Sequence, residues 1–68
     1  MLGEELRKCR LKAGLTQEHL AFEAGISRNY VSLLERNEKS PTLDVLIRLC
    51  KAMGVPAARI VAKVEKGV

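Results

Sequence analysis

Apolar residues recur along this chain at intervals of three and four and never in sustained alternation, so the pattern predicts helices and no strand. Leu2, Leu6, Cys9 and Ala13 mark one face of a first helix over about 2–13, with Gly14 as its stop. A second helix, about 17–24, starts behind Thr16, whose hydroxyl can accept an orphaned backbone N–H. The third, about 28–37, starts behind Ser27. Pro41 and the cap Thr42 precede a fourth over about 43–53, with Leu43, Leu46, Leu49, Cys50 and Met53 facing inward. Pro56 suits the first position of a fifth, about 56–64. The expected architecture is all-α, with residues 1–64 as a single domain and 65–68 as a frayed C-terminal tail.

The join between the second and third helices is the informative one. Only Gly25 and Ile26 separate Ala24 from Ser27, a gap that makes the two helices cross steeply and not fold back antiparallel. A close crossing needs a small residue, which Ala21 supplies. The turn needs a left-handed backbone, which Gly25 supplies without a side-chain penalty. Leu20, Ala24, Ile26, Val31 and Leu34 then form the apolar faces that hold the pair on the core.

Composition narrows the functional classes. Twelve Lys and Arg against eight Asp and Glu give a formal charge of +4 on 68 residues, which favours an anionic partner. Aromatic residues are limited to Phe22 and Tyr30, too few to build a stacking platform for single-stranded nucleic acid. No apolar run approaches the ~18 residues of a membrane span, and the charged opening from Met1 to Glu5 is unlike a signal peptide. Cys9 and Cys50, with no CxxC spacing, fit a reducing cytoplasmic setting and read as small core residues. With His19 as the single histidine, no metal-ligand spacing appears, and no nucleophile–base set or phosphate-cradling glycine loop can be assembled. The expectation is a non-enzyme without metal or cofactor.

The segment QEHLAFEAGISRNYVSLLER, Gln17 to Arg36, resembles the helix-turn-helix of the phage-repressor/Cro-like (XRE) family of DNA-binding regulators. LGEELRKCRLKAGLTQEHLA is similar to that family's first helix and its Leu-Thr-Gln junction, and ERNEKSPTLDVLIRLCKAMGV to its exit loop and fourth helix. The run ISRNYVSLLERN also resembles the controller proteins of restriction–modification systems; phage or plasmid repressors and self-repressing antitoxins share the format. The resemblance implies a compact five-helix, lambda-repressor-like domain. It further implies a homodimer on double-stranded operator DNA, with the third helix in the major groove.

On this reading Arg28, Asn29, Ser32 and Leu33 are the base-reading candidates. Arg can grip guanine O6 and N7 bidentately, Asn can do the same to adenine N6 and N7, and Leu33 either meets a thymine methyl or rests against sugar. Leu33 departs from the polar residue that many relatives carry. Thr16, Gln17 and Ser27 at helix starts, with Arg36, Asn37, Lys39, Ser40 and Thr42 in the exit loop, are the phosphate-binding candidates. The bland alternative for both sets is a group of capped, solvated helix ends. In similar proteins residues matching Arg10 and Glu35 form a partly buried ion pair between the first and third helices. Ala57, Ile60, Val61 and Val64 recur at helical spacing; so small a core uses Ile60 and part of Ala57, which leaves Val61 and Val64 surplus, and since family members pair here, this helix and the loop before it are the expected dimer contact.

Several positions stay open on the sequence. Phe22 either covers the edge of the first helix near Leu2 or offers an exposed patch to a partner. Tyr30 either packs on the flank of the third helix or reaches a phosphate. A contact with RNA polymerase would use exposed acids such as Glu23 or Glu38. The alternative function is a protein-interaction module on the same fold, such as a toxin-neutralising subunit. Leu33 and Phe22 favour it; Arg28, Asn29 and Arg36 oppose it.

Overall fold

The computed structural model describes residues 1–66 and contains α1 (Leu2–Lys12), α2 (Gln17–Ala24), α3 (Arg28–Glu35), α4 (Leu43–Met53) and α5 (Ala57–Lys66). The expected all-α, five-helix architecture is the one found, and no strand occurs among the described residues. α2 packs against both α3 and α4, α1 lies across α3 and α5, and α4 touches α5. Leu6, Leu20, Val31, Leu34, Leu49 and Ile60 are each no more than 2% exposed, so every helix sends at least one side chain fully into one core.

Four helices end in the same way. Gly14, Gly25, Asn37 and Gly54 take φ values of 75°, 73°, 60° and 71°. Each of these left-handed residues lets the next N–H reach back to a carbonyl of the last helical turn. The reaching pairs are Leu15 to Arg10, Ile26 to Ala21, Glu38 to Leu33 and Val55 to Cys50, at 2.9–3.1 Å. Among them Gly25 sets the turn between α2 and α3. A side chain there would pay the steric penalty of the left-handed region in a link two residues long.

Several boundaries and facings differ from the sequence expectation. α3 stops at Glu35, not at about 37, because Asn37 adopts the left-handed conformation that asparagine tolerates best after glycine. α1 stops at Lys12, which leaves Ala13 exposed beyond the inward face. Leu43 is 72% exposed: as the first residue of α4 it stands outside the stripe that Leu46, Leu49, Cys50 and Met53 bury. α5 starts at Ala57 and continues through Glu65 and Lys66 of the expected tail, while the tail's last two residues, 67 and 68, lie outside the described residues.

One contact was not foreseen. Gly3, in the first turn of α1, lies against the carbonyl end of α3, and a Cβ there would come within 2.6 Å of both the Leu34 and Glu35 carbonyl oxygens. Only glycine allows this approach. It brings the positive dipole end of α1 onto the negative end of α3, a favourable arrangement. Gly3→Ala is therefore expected to destabilise the fold by about 1–3 kcal/mol in urea denaturation, despite alanine's higher helix propensity. An equally stable or more stable variant would show that the helices can part at no cost.

Candidate nucleic-acid interface

The polar centre of the molecule is a bidentate ion pair. Arg10 Nε donates to Glu35 Oε2 at 2.6 Å and Arg10 Nη2 to Glu35 Oε1 at 3.1 Å. The residues are only 7% and 8% exposed, so each charge depends on the other for what water would otherwise supply. Further bonds complete the set: Arg10 Nη1 donates to the Leu15 carbonyl at 2.9 Å, and Gln17 Nε2 to Glu35 Oε1 at 3.2 Å. This network joins α1, the junction ahead of α2, the start of α2 and the end of α3.

Three of the four hydroxyl residues proposed to touch phosphate, all but Ser40, close a helix start. Thr16 Oγ1 accepts from the His19 N–H at 3.0 Å, Ser27 Oγ from the Tyr30 N–H at 3.0 Å, and Thr42 Oγ1 from the Val45 N–H at 3.2 Å. A hydroxyl that accepts in this way keeps its own O–H to donate. The first-turn N–H groups beside each cap have no partner within the helix and carry the positive end of its dipole. The capped-end reading and the anion-binding reading are thus compatible at the same atoms.

Arg28 stands at the start of α3 and lines an open groove of about 440 Å³ with Thr16, Gln17, Glu18, Leu11, Leu15 and Arg10. The starts of α2 and α3 therefore face one depression, whose floor includes the buried arginine. Ser27, Arg28 and Asn29 are exposed, while Ser32 and Leu33, one turn on, are half-buried. Lys39, Ser40 and Thr42 are exposed in the α3–α4 loop and its helix start, outside that groove. A smaller cleft of about 220 Å³, lined by Cys9, Lys12, Met53, Val55, Arg59 and Lys63 among others, holds none of the candidates.

Two loop candidates are already engaged. Arg36 Nη1 pairs with Glu38 at 2.9 Å, which places an acid beside the expected phosphate contact. The Asn37 side chain turns to α1: Oδ1 accepts from the Gly3 N–H at 2.9 Å and Nδ2 donates to Glu4 Oε1 at 2.7 Å. That donation, helped by the nearby terminal amine, holds the Glu4 carboxyl below its ordinary range. The sign follows: the tie is complete above the ordinary carboxylate range and weakens as acid protonates Glu4. The link between Asn37 and α1 was invisible in the sequence, because it joins residues 34 apart through a backbone turn that residue type alone does not specify.

The remaining positions separate clearly. Ile60 is 0% exposed and belongs to the core, which removes it from the expected dimer contact. Ala57 and Val64 are half-buried against the core, and Val61 alone of the four is exposed. Phe22 is 81% exposed and does not cover α1. Tyr30 packs against the core on the flank of α3. Glu23 lies 3.5 Å from His19 on the exposed face of α2. Cys9 and Cys50 are unpaired thiols, and burial, with Cys9 nearby, pushes the Cys50 thiol up and away from the reactive thiolate. No group of acids, histidines and cysteines able to hold a metal ion occurs among the described residues, and none of their helices is long and apolar enough to cross a membrane.

Residues 6–60 match the model of a family described as Helix-turn-helix. Over 56 residues the chain is 39% identical to the control protein C.BamHI of Bacillus amyloliquefaciens, covering 81% of this chain and 69% of that protein. The restriction-modification controller protein C.AhdI from Aeromonas hydrophila has a similar structure, with a TM-score of 0.84 and 34% identity over 87% of this chain and 89% of that one. The biofilm master regulator SinR, solved in complex with DNA, has a TM-score of 0.85 at 26% identity over 90% of this chain and 98% of its own.

The ion pair yields a test. Arg10→Met is expected to cost about 3–5 kcal/mol in denaturant unfolding, because it strands the Glu35 carboxylate in the core. Arg10→Met combined with Glu35→Leu should recover most of that loss. A double variant as unstable as the sum of the two single changes would contradict this account of the pair.

Proposed function

The chain belongs to the XRE-type helix-turn-helix family of DNA-binding transcriptional regulators, which are not enzymes, and from that premise we propose that it reads a palindromic operator as a homodimer with α3 in the major groove. The observation that carries this reading is the shared groove of Thr16, Gln17 and Arg28. It allows the α2 start to take a backbone phosphate while the α3 start meets the adjoining base edges.

Within the interface the roles divide by chemistry. Arg28 and Asn29 are exposed in the first turn of α3 and carry the donors that bidentate base recognition requires. Ser32 and Leu33 follow one turn deeper and take the shorter-range contacts, Leu33 to a thymine methyl or to sugar. Thr16, Gln17 and Ser27 hold phosphates through hydroxyl, amide and first-turn N–H groups. Lys39, Ser40 and Thr42 hold phosphates on the other side of α3, with Arg36 contributing only when it leaves Glu38. Two copies related by a two-fold axis place their α3 helices about 34–36 Å apart, one turn of duplex. Val61, the exposed large apolar residue of α5, anchors the pairing between copies, flanked by Ala57 and Val64. An activating contact with RNA polymerase would fall to exposed acids such as Glu23 or Glu38.

Operator selection from random duplex DNA, followed by gel shift at several salt concentrations, tests the function. Binding should weaken steeply with salt, since phosphate contacts supply most of the affinity. Arg28→Ala is expected to cost about 1–3 kcal/mol and to relax one operator position, whereas Lys39→Ala weakens every sequence alike and lowers the salt slope by about one. Equal loss on all sequences for Arg28→Ala would remove it from base reading. For the dimer, Val61→Glu should yield a monomer in sedimentation equilibrium with its helicity intact; a persistent dimer would move the contact off α5.

A further inference from the structure

A two-turn helix that reads DNA with its first turn must have its orientation set from the other end. α3 has eight residues, so it is about 12 Å long. Its hydrogen-bonded attachments to α1 gather at the C-terminal end. One is the Arg10–Glu35 pair. The other is the contact of Gly3 with the Leu34 and Glu35 carbonyls, locked by Asn37, whose amide oxygen takes the Gly3 N–H and whose amide nitrogen gives to Glu4. Gly3 and Arg10 are seven residues apart on α1, roughly 10 Å along its axis. Both meet the same end of α3, one through the Glu35 carboxylate and one through the chain just beyond it, so a helix end that could pivot about a single contact is held from two places on α1.

We infer that Asn37 is a positioning residue for DNA reading, fixing the tilt of α3 through paired hydrogen bonds to the first turn of α1. The inference rests on the operator reading above and replaces the phosphate-contact role that residue type alone implied for Asn37. Its left-handed backbone is what aims the side chain at α1. Loss of the tie leaves the buried pair to hold the fold and frees α3 to rock about Glu35, which displaces Arg28 and Asn29 most because they lie at the far end. Bidentate base contacts need close alignment and suffer from such a displacement. Phosphate contacts from Thr16 and Lys39, on other elements, do not. Asn37 therefore governs preference for the operator and leaves general DNA affinity alone.

The test compares the full chain on a duplex obtained by selection and on a scrambled duplex at the same salt. Asn37→Gly keeps the left-handed turn and removes both hydrogen bonds. It should lower the preference for the selected duplex about three- to tenfold while affinity for the scrambled duplex stays within about twofold. Asn37→Asp sets a carboxylate against Glu4 and should lose preference likewise. Adding Glu4→Gln to Asn37→Asp exchanges donor and acceptor across the same contact and should restore the preference to within about twofold of the original. The restoration decides the matter even if Asn37→Gly fails to fold. An unchanged preference in Asn37→Gly, or equal weakening on both duplexes, overturns the inference and leaves the operator reading intact. An unaltered chain that shows no preference for the selected duplex overturns the operator reading and this inference with it.

Discussion

The buried pair between Arg10 and Glu35 is the constraint on which the rest of the structure depends. A core built from a short chain has little free energy to spare, and two charges inside it are tolerated only while they neutralise one another. Three donors converge on Glu35, two from Arg10 and one from Gln17, and the third arm of the Arg10 guanidinium takes the Leu15 carbonyl. That carbonyl lies one residue before the cap of α2. The pair therefore fixes the end of α3 relative to α1 and the start of α2 relative to both. The groove holding Thr16, Gln17 and Arg28 is the outer side of that arrangement.

A second device, the left-handed helix ending, makes the helices short enough to surround this centre. Used at Gly14, Gly25, Asn37 and Gly54, it satisfies terminal carbonyls without longer loops. Three of the four residues are glycine. The fourth is asparagine, and there alone the turning residue brings a side chain that does something else, reaching back to α1. The turn that stops α3 is thus also the one that ties it down.

The fold was legible because its signals are local. Caps at Thr16, Ser27 and Thr42, glycine stops and helical spacing of apolar residues all act within one or two turns, and the structure follows them. What stayed hidden was non-local. Nothing in the residue type of Gly3 announces that the end of α3 lies 2.6 Å from its missing Cβ, and nothing in Asn37 tells a phosphate ligand from an interhelical tie. On α5 the core role of Ile60 was legible, but spacing did not separate Val64, which is half-buried against the core, from the exposed Val61. Leu43 had the spacing of a core residue but stands at the helix start, where the packed stripe has not yet begun. Arg28 and Asn29 stand out as base-reading candidates only through the surrounding helix-turn-helix pattern, since a guanidinium and an amide at a helix start otherwise read as a solvated end.

On the proposed reading, the first turns of α2 and α3 form one surface that meets duplex DNA. Backbone amide chemical shifts, followed while a selected duplex is titrated into isotopically labelled protein, test it most directly. The account predicts that the large changes fall on Thr16 and Gln17, on Ser27 to Leu33 and on Lys39 to Thr42, with the exposed ring of Phe22 and the outer face of α5 away from the dimer contact little affected. Changes centred on Phe22 and Leu43, with the α3 start unmoved, would contradict it.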